Sequence, residues 1–585
     1  MRVTWAEGLP EDEKILEQWN GLVDRMERPE VFFTWQWVAA LLRSYGNSAK
    51  PWIAIAYEGE ELVGVVALAR LSATEASFLT STTADYCDFI STVARRRDFV
   101  ARVLDDVLAS GVRRLTLANL PADSGTVVEL KANRRFKSFI RVGYVCAQVD
   151  LGTPDERQAL VDTLFKKKML RRSMNALKRI GPVTLQHDFG AGLERQVVER
   201  FCNTHVARFL ATGRISNLVS AQRRAFLREL AALLAARGWF DLMTLRAGSW
   251  VVALNYGFRF HGSWFWYQPT IVNKFEDLSP GYCLLAKVVE DASRDSKAQL
   301  VDLGLGAEGY KERFANGQRT TFHATLTSSG VDQWKEQGRY HAAETIKRVP
   351  QLEMVARRAR TLAQSGRKRV AQDGWAKALS RAGRHLQRSI ASTEEVLFFQ
   401  WPSALGASSS TAELVPITWE ILAAGAMRYS EDRETLDYLL RSSARLRTNQ
   451  SWGYALTSVE GVSRHFAWVA PYEGFAIAEL GDVLHAPSAA SVLIFDCWTP
   501  VELRGQGLYA CAISRLAELL SAEGKDVWIF GAANNTGSIA GIEKAGFQLR
   551  AALSKQRVLR WSKTRQETRG GVGPEPADVF DKVRG

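Results

Sequence analysis

Residues 491–511 read SVLIFDCWTPVELRGQGLYAC. Ser491–Trp498 is an apolar run of strand length, and it predicts a strand. The next residues, TPVELRGQG, hold one proline and two glycines and predict a loop. A helix is expected from Leu508 to about Ala522, and a second strand from Asp526 to Gly531. A strand, a short crossover helix and a strand imply parallel neighbours in one sheet. Glycines at 505 and 507 let the backbone take positive φ and approach a ligand closely. The free N–H groups of the first helical turn point into the same loop, where the helix dipole favours an anion. A pyrophosphate fits such a place.

The same plan occurs twice upstream. A strand around Asp88–Thr92 leads into a helix from about Arg97 to Ser110, whose Phe99, Val103, Val107 and Leu108 fit helical spacing, and a strand follows at Arg114–Asn119. The second copy has a strand at Ser263–Thr270, the break DLSPG, a helix from Tyr282 to about Ser293, and a strand at Gln299–Leu303. Hairpins precede each copy: Trp52–Tyr57 with Leu62–Leu68, Phe240–Arg246 with Trp250–Phe260, and Tyr454–Ser458 with His465–Val469. The expected class is therefore α/β, three mixed-sheet modules with helices packed on them. Sequence identity between the three is slight, so the repeat is one of structure.

Past the glycine loop comes Asn534-Asn535-Thr536-Gly537-Ser538, then a short helix, then Glu543-Lys544-Ala545-Gly546-Phe547. Together with RGQGLY, this order and spacing resembles the GNAT superfamily of acyl-CoA N-acyltransferases, over about Glu395–Trp561. The resemblance implies acetyl-CoA or another acyl-CoA as cosubstrate and no metal. It implies that Cys497 and Thr499 pair with the pantetheine amides. Arg504, Gly505, Gln506, Gly507, Leu508 and Tyr509 would hold the pyrophosphate, and Asn535 and Ser538 would lie by the pantetheine arm. The sequence departs from the family pattern at Tyr509, where a Gly or Ala is usual. It departs again at Ile542, where many members place a tyrosine that protonates the leaving thiolate. Asp496 is the candidate for catalytic base, against the plainer reading of a strand-end carboxylate. His465 and Glu479 lie on earlier strands, and His465 reads as an ordinary surface or packing residue.

Residues 1 to about 330 carry Phe33-Thr34-Trp35, Asp85-Tyr86-Cys87-Asp88, a basic helix Lys166–Arg179, WFWYQPTIVNKFEDLSPG, Asp302-Leu303-Gly304-Leu305-Gly306 and Glu308-Gly309-Tyr310-Lys311. These resemble the CelD-like (cellulose-biosynthesis-type) acetyltransferases, tandem GNAT-like modules related to the FemAB-type transferases. By that resemblance Ser279 and Gly281 stand where the third module has its glycine loop, and Tyr310 and Lys311 could contact substrate or phosphate, or else form a pair that closes the sheet. Helix capping explains Ser-Pro-Gly equally well.

Charge narrows the choice of partner. The chain of 585 residues carries a formal +13, but 14 Lys and Arg stand against 4 Asp and Glu between Trp334 and Ile390. Most of the excess thus lies in a linker-like, helix-favouring segment, which argues against a nucleic-acid-binding fold. A solvated linker explains the segment, and docking to an anionic membrane surface is the sharper alternative. Six scattered cysteines form no CxxC and no cluster with histidine, against zinc and against a disulfide framework. The N-terminus is acidic, and no apolar run reaches the roughly 18 residues of a membrane helix. A soluble, cytoplasmic chain is expected. The expected organisation is 1–150 and 151–330 as a tandem pair, 331–390 a basic helical linker, 391–562 a GNAT domain and 563–585 a disordered tail. The favoured activity is acetyl transfer to an amine, by analogy an amino sugar or envelope precursor. Two other readings compete: aminoacyl transfer from tRNA by the N-terminal pair, and a CoA-binding module without catalysis.

Overall fold

The structure is a computed structural model. It describes residues 1–10, 12–190, 195–306, 308–348, 391–402, 413–458, 461–477, 482–558 and 561–568. The chain divides into two compact units, Met1–Arg208 with Asn217–Val349, and Pro350–Gly585 with Phe209–Ser216.

The first unit is built on one 13-stranded sheet. It runs from Arg2–Ala6 through Pro51–Glu58, Glu61–Arg70, Glu75–Phe78, Arg114–Pro121, Gly317–Thr327, Lys137–Asp150, Leu300–Asp302, Ser263–Ile271, Trp250–Phe260 and Phe240–Ala247 to Val183–Asp188, with the short Ile90–Ser91 paired beside Glu61–Arg70 as the thirteenth strand. Two parallel pairs interrupt it, Glu75–Phe78 with Arg114–Pro121 and Ser263–Ile271 with Leu300–Asp302. Pro280–Arg294 crosses over between the strands expected for it, whereas Val93–Ala109 lies between Glu75–Phe78 and Arg114–Pro121: the strand expected around Asp88–Thr92 is reduced to Ile90–Ser91, which pairs antiparallel with Glu61–Arg70. The two halves are not two sheets, however. The late strand Gly317–Thr327 inserts between Arg114–Pro121 and Lys137–Asp150, pairing antiparallel with both. In the second half, Pro280–Arg294 buries Cys283, Leu284, Leu285, Val288 and Val289 against the sheet. Each such side chain contributes roughly 1.5–3 kcal/mol by its burial. The helix Pro154–Lys166 starts on a capping box, Thr153 accepting from the Glu156 N–H while Glu156 takes the Thr153 N–H.

The second unit holds an eight-stranded sheet, in the order Glu413–Pro416, Trp452–Thr457, Ser463–Pro471, Ser491–Trp498, Asp526–Ala532, Ala391–Gln400, Gln548–Val558 and Trp561–Thr568. Its parallel pair is central: Ser491–Trp498 beside Asp526–Ala532, joined by the helix Leu508–Ala522. One face carries that helix and Thr536–Lys544 over a core of Ile513, Leu516, Leu520, Ile529 and Ile542. The other face meets Arg433–Thr448, where Ser442 accepts from the Trp468 indole N–H at 3.2 Å and Tyr438 stacks on Trp498. Trp561–Thr568 departs from expectation. Residues from 563 were read as tail, yet this segment pairs along its length with Gln548–Val558. It is an edge strand, held by main-chain bonds and so not dependent on apolar alternation.

Of the basic segment, the described part is the helix Gly330–Arg348. The remainder, 349–390, lies outside the described residues, as do the loop residues Ser408–Ser410 and the chain after Thr568. Among the described residues no helix is long and apolar enough to cross a membrane.

Candidate active site

The central strands of the second unit pair from Ser491↔Asp526 to Ile494↔Ile529 and then part. The cause lies on the other edge of Ser491–Trp498. Opposite Ser463–Pro471 the register jumps from Trp468↔Phe495 to Phe466↔Trp498. Asp496 and Cys497 thus face a single residue, Ala467, in a β-bulge. Asp496 takes the left-handed conformation this needs, at φ 43°. A bulge bends its strand, so the end of Ser491–Trp498 swings away from Asp526–Ala532 and opens a cleft of about 1170 Å³. Cys497, Thr499, Arg504, Gly505, Gly507, Leu508, Tyr509, Asn535 and Ser538 all line it, and so does Asp496. Gln506 points elsewhere, its side-chain carbonyl accepting from Arg464 at 2.9 Å.

The glycine loop is shaped for an anion. Gly505 and Gly507 sit at φ 79° and 75°. Nothing lies within 4 Å of where their Cβ atoms would be, so conformation and not crowding demands glycine there. Gly507 caps Leu508–Ala522 without a side-chain hydrogen bond, which leaves the first-turn N–H groups to the cleft. Arg504 is committed locally. It donates to the Thr499 carbonyl at 3.2 Å, pairs with Glu434 at 3.3 Å and lies over the Trp498 ring. Its part is to staple the loop to the end of the strand. Asn535 caps Thr536–Lys544, accepting from the Ser538 N–H at 3.2 Å. The Ser538 hydroxyl meets the Tyr509 phenol at 3.1 Å, and the Tyr509 ring lies against Gly541, where a Cβ would come within 2.5 Å of it.

The titratable groups are constrained. Asp496 is held in an ion pair with Arg445 at 2.5 Å, and Arg445 also lies over the rings of Trp468 and Phe495. His465 is 1 % exposed, and burial pushes its pKa down to about 3. Its Nδ1 meets the Thr499 hydroxyl at 2.7 Å, while Nε2 has no hydrogen-bond partner among the described residues. A neutral imidazole with one unpartnered nitrogen therefore lines the cleft. Burial also raises the Cys497 thiol and the Tyr509 phenol, so both stay protonated. Ile542 is fully buried in the core. Glu479 lies outside the described residues. Arg441, Arg445, Phe475, Phe495 and Phe530 also line the cleft. No motif marks them, since Arg441 and Arg445 read as the polar face of an ordinary amphipathic helix.

In the first unit the parallel strands also part, but the chain itself occupies the divergence. The Cys87 N–H donates to the Asn119 carbonyl at 3.0 Å, and the Asn119 amide donates to the carbonyls of Ser81 and Ala84. Asp302, at the end of the second parallel pair, accepts from Tyr86 and Gln148 at 2.8 Å and from the Gly304 N–H. The motifs at 85–88 and 302–311 thus meet in one polar network, although more than 200 residues separate Tyr86 from Asp302. Lys311 is turned into its own loop, onto the Leu305 carbonyl at 3.0 Å and Glu308 at 2.7 Å. Tyr310 accepts from the Trp266 indole at 3.1 Å. Ser279 caps Pro280–Arg294 in the left-handed region at φ 51°, with no side-chain cap bond. A Cβ on Gly281 would lie 3.2 Å from Ile271.

A family model described as an acetyltransferase (GNAT) domain matches residues 165–312. No curated protein matches the chain. Similar solved structures include FemX, at 11% identity and TM-score 0.40 over 53% of this chain and 95% of that one. A tandem GNAT protein from the clavulanic acid biosynthesis pathway is similar at 14% identity and TM-score 0.34, covering 56% and 99%. L-PGS from Bacillus licheniformis is similar at 12% and 0.35, covering 53% and 94%. The match to a GNAT acetyltransferase domain is thus confined to residues 165–312, within the first unit, and it supports acyl transfer in general.

Proposed function

We propose that the chain is an acyl-CoA-dependent N-acyltransferase whose coenzyme site is the cleft of the second unit. One observation carries this reading. The bulge at Asp496–Cys497 opens the sheet on the same cleft that receives the free N–H groups at Gly507. A long ligand with an anionic end can lie there, its pyrophosphate on the helix N-terminus and its amides along the strand edge released by the bulge. The first unit fills its own divergences, so the cleft of the second supports the assignment better.

In the reaction the amine nitrogen attacks the thioester carbonyl. The C–N bond forms, the C–S bond breaks, and one proton passes from nitrogen to the departing sulfur. Asp496 is engaged by Arg445, and His465 is too weak a base to be charged near neutrality. The chain therefore contributes mainly by positioning a neutral amine against the thioester, a source of large rate gains in itself. Coenzyme thiol release, measured with acetyl-CoA and a panel of primary amines, tests the reading. Amine-dependent release is expected, and Gly507→Val lowers it at least tenfold. Acetyl-CoA binding with no release for any amine favours a binding module, and release that Gly507→Val leaves unchanged contradicts this site.

A further inference from the structure

The cleft passes through the sheet, and its two sides differ in chemistry. On the side of Leu508–Ala522 it offers the glycine loop, Asn535 and Ser538. On the opposite side it is walled by Phe475, Phe495 and Phe530. Phe475 meets Phe495 edge-on at 4.9 Å and Phe530 at 6.0 Å. Arg445 lies over the Phe495 ring, and Arg441, one turn earlier on Arg433–Thr448, lines the same cleft. The two arginines are not equivalent. Arg445 is neutralised by Asp496. Arg441 is exposed, its guanidinium 5.7 Å from the Tyr438 ring, and it makes no ion pair among the described residues.

With the coenzyme on the loop side, as proposed above, the acceptor enters from this side. We propose that the acceptor is a small amine carrying an apolar, preferably aromatic, group and one carboxylate, which is the chemistry of an apolar amino acid. The rings accept the apolar group by burial and edge-on contact. Arg441 supplies one uncompensated positive charge with a planar fork that fits a carboxylate. Among the described residues of this side Arg441 is the one cation without an ion pair, and a single charge matches a carboxylate better than a phosphate, whose charge is close to two. An amino sugar fits this wall poorly. Its hydroxyls need hydrogen-bonding partners, and this side presents phenyl rings, one engaged ion pair and Arg441.

The test uses the full chain with saturating acetyl-CoA and follows thiol release with phenylalanine, phenylalanine methyl ester, phenylalanine's phosphonate analogue and glucosamine. Each is compared between wild type and Arg441→Gln. Comparing the acid-to-ester ratio across the two proteins cancels the difference in amine basicity. The expected result is a KM for phenylalanine raised at least tenfold by Arg441→Gln, with the ester little changed, kcat nearly constant and acetyl-CoA affinity unaltered. Arg441→Lys recovers part of the loss. The proposal is overturned if glucosamine or the phosphonate is the best acceptor, or if acid and ester respond alike. It is also overturned if Arg441→Gln weakens acetyl-CoA binding instead. Failure of the enzyme reading looks different, as no thiol release with any amine, and this proposal would fall with it.

Discussion

At the scale of single residues, the sequence shows its glycines better than its charges. Gly505 and Gly507 were legible because no other residue takes their φ without cost. Asp496 was read both as a base and as a strand-end carboxylate, and what decides is Arg445, about fifty residues upstream on a helix. No local pattern reports such a partner. His465 was read as a surface or packing residue; it is buried, and its Nε2, without a partner among the described residues, lies inside the cleft, which is a tertiary fact. That burial has a measurable effect. The folded state holds His465 neutral down to about pH 3, whereas an unfolded histidine gains its proton near 6.5. The unfolded state therefore binds more protons in this window, and stability falls as pH drops from about 6.5 toward 3. Denaturant unfolding of the second unit, followed across that range, is expected to show this slope. His465→Asn is expected to flatten it, and equal slopes in both proteins would contradict the burial assigned here.

Elements were legible wherever an apolar period met a breaker. Ser491–Trp498 and Leu508–Ala522 have the bounds that the sequence suggests, because proline and glycines fix the ends between them. Trp561–Thr568 was missed for the opposite reason. Its sequence, WSKTRQET, has no apolar alternation, and the edge position that tolerates this comes from Gln548–Val558. The helix Leu508–Ala522 carries the loop on its N-terminus, so its anchoring matters for the site. Leu516 is fully buried in it, and Leu516→Ala is expected to cost about 2–5 kcal/mol of stability. A clearly lowered thermal midpoint, with coenzyme affinity kept in the folded fraction, checks this. A neutral outcome would mean the helix is not packed as described.

At the scale of the whole molecule, the repeat of strand, helix and strand was visible, but the joining of the first two copies into one sheet was not. That joining depends on Gly317–Thr327, which returns across 200 residues or more to pair with Arg114–Pro121. The sheet brings charges inside. Glu30 and Arg319 pair while both are nearly buried, and burial lifts the Glu30 carboxyl to about 7. Here the folded state binds the extra proton. Its contribution is present below about pH 4.5 and is lost as pH rises through 7. Glu30→Gln is expected to remove roughly 1–3 kcal/mol of that pH dependence, read as the difference in denaturation midpoint between pH 4.5 and 8. An unchanged difference would mean the carboxylate is charged throughout.

The central claim is that one cleft, in the second unit, holds the coenzyme. Calorimetric titration of acetyl-CoA into the full-length chain and into Gly507→Val tests it most directly. One strong site is expected in the wild type and at least a tenfold loss of affinity in the variant, with the fold retained. Equal affinity in the two proteins would contradict it.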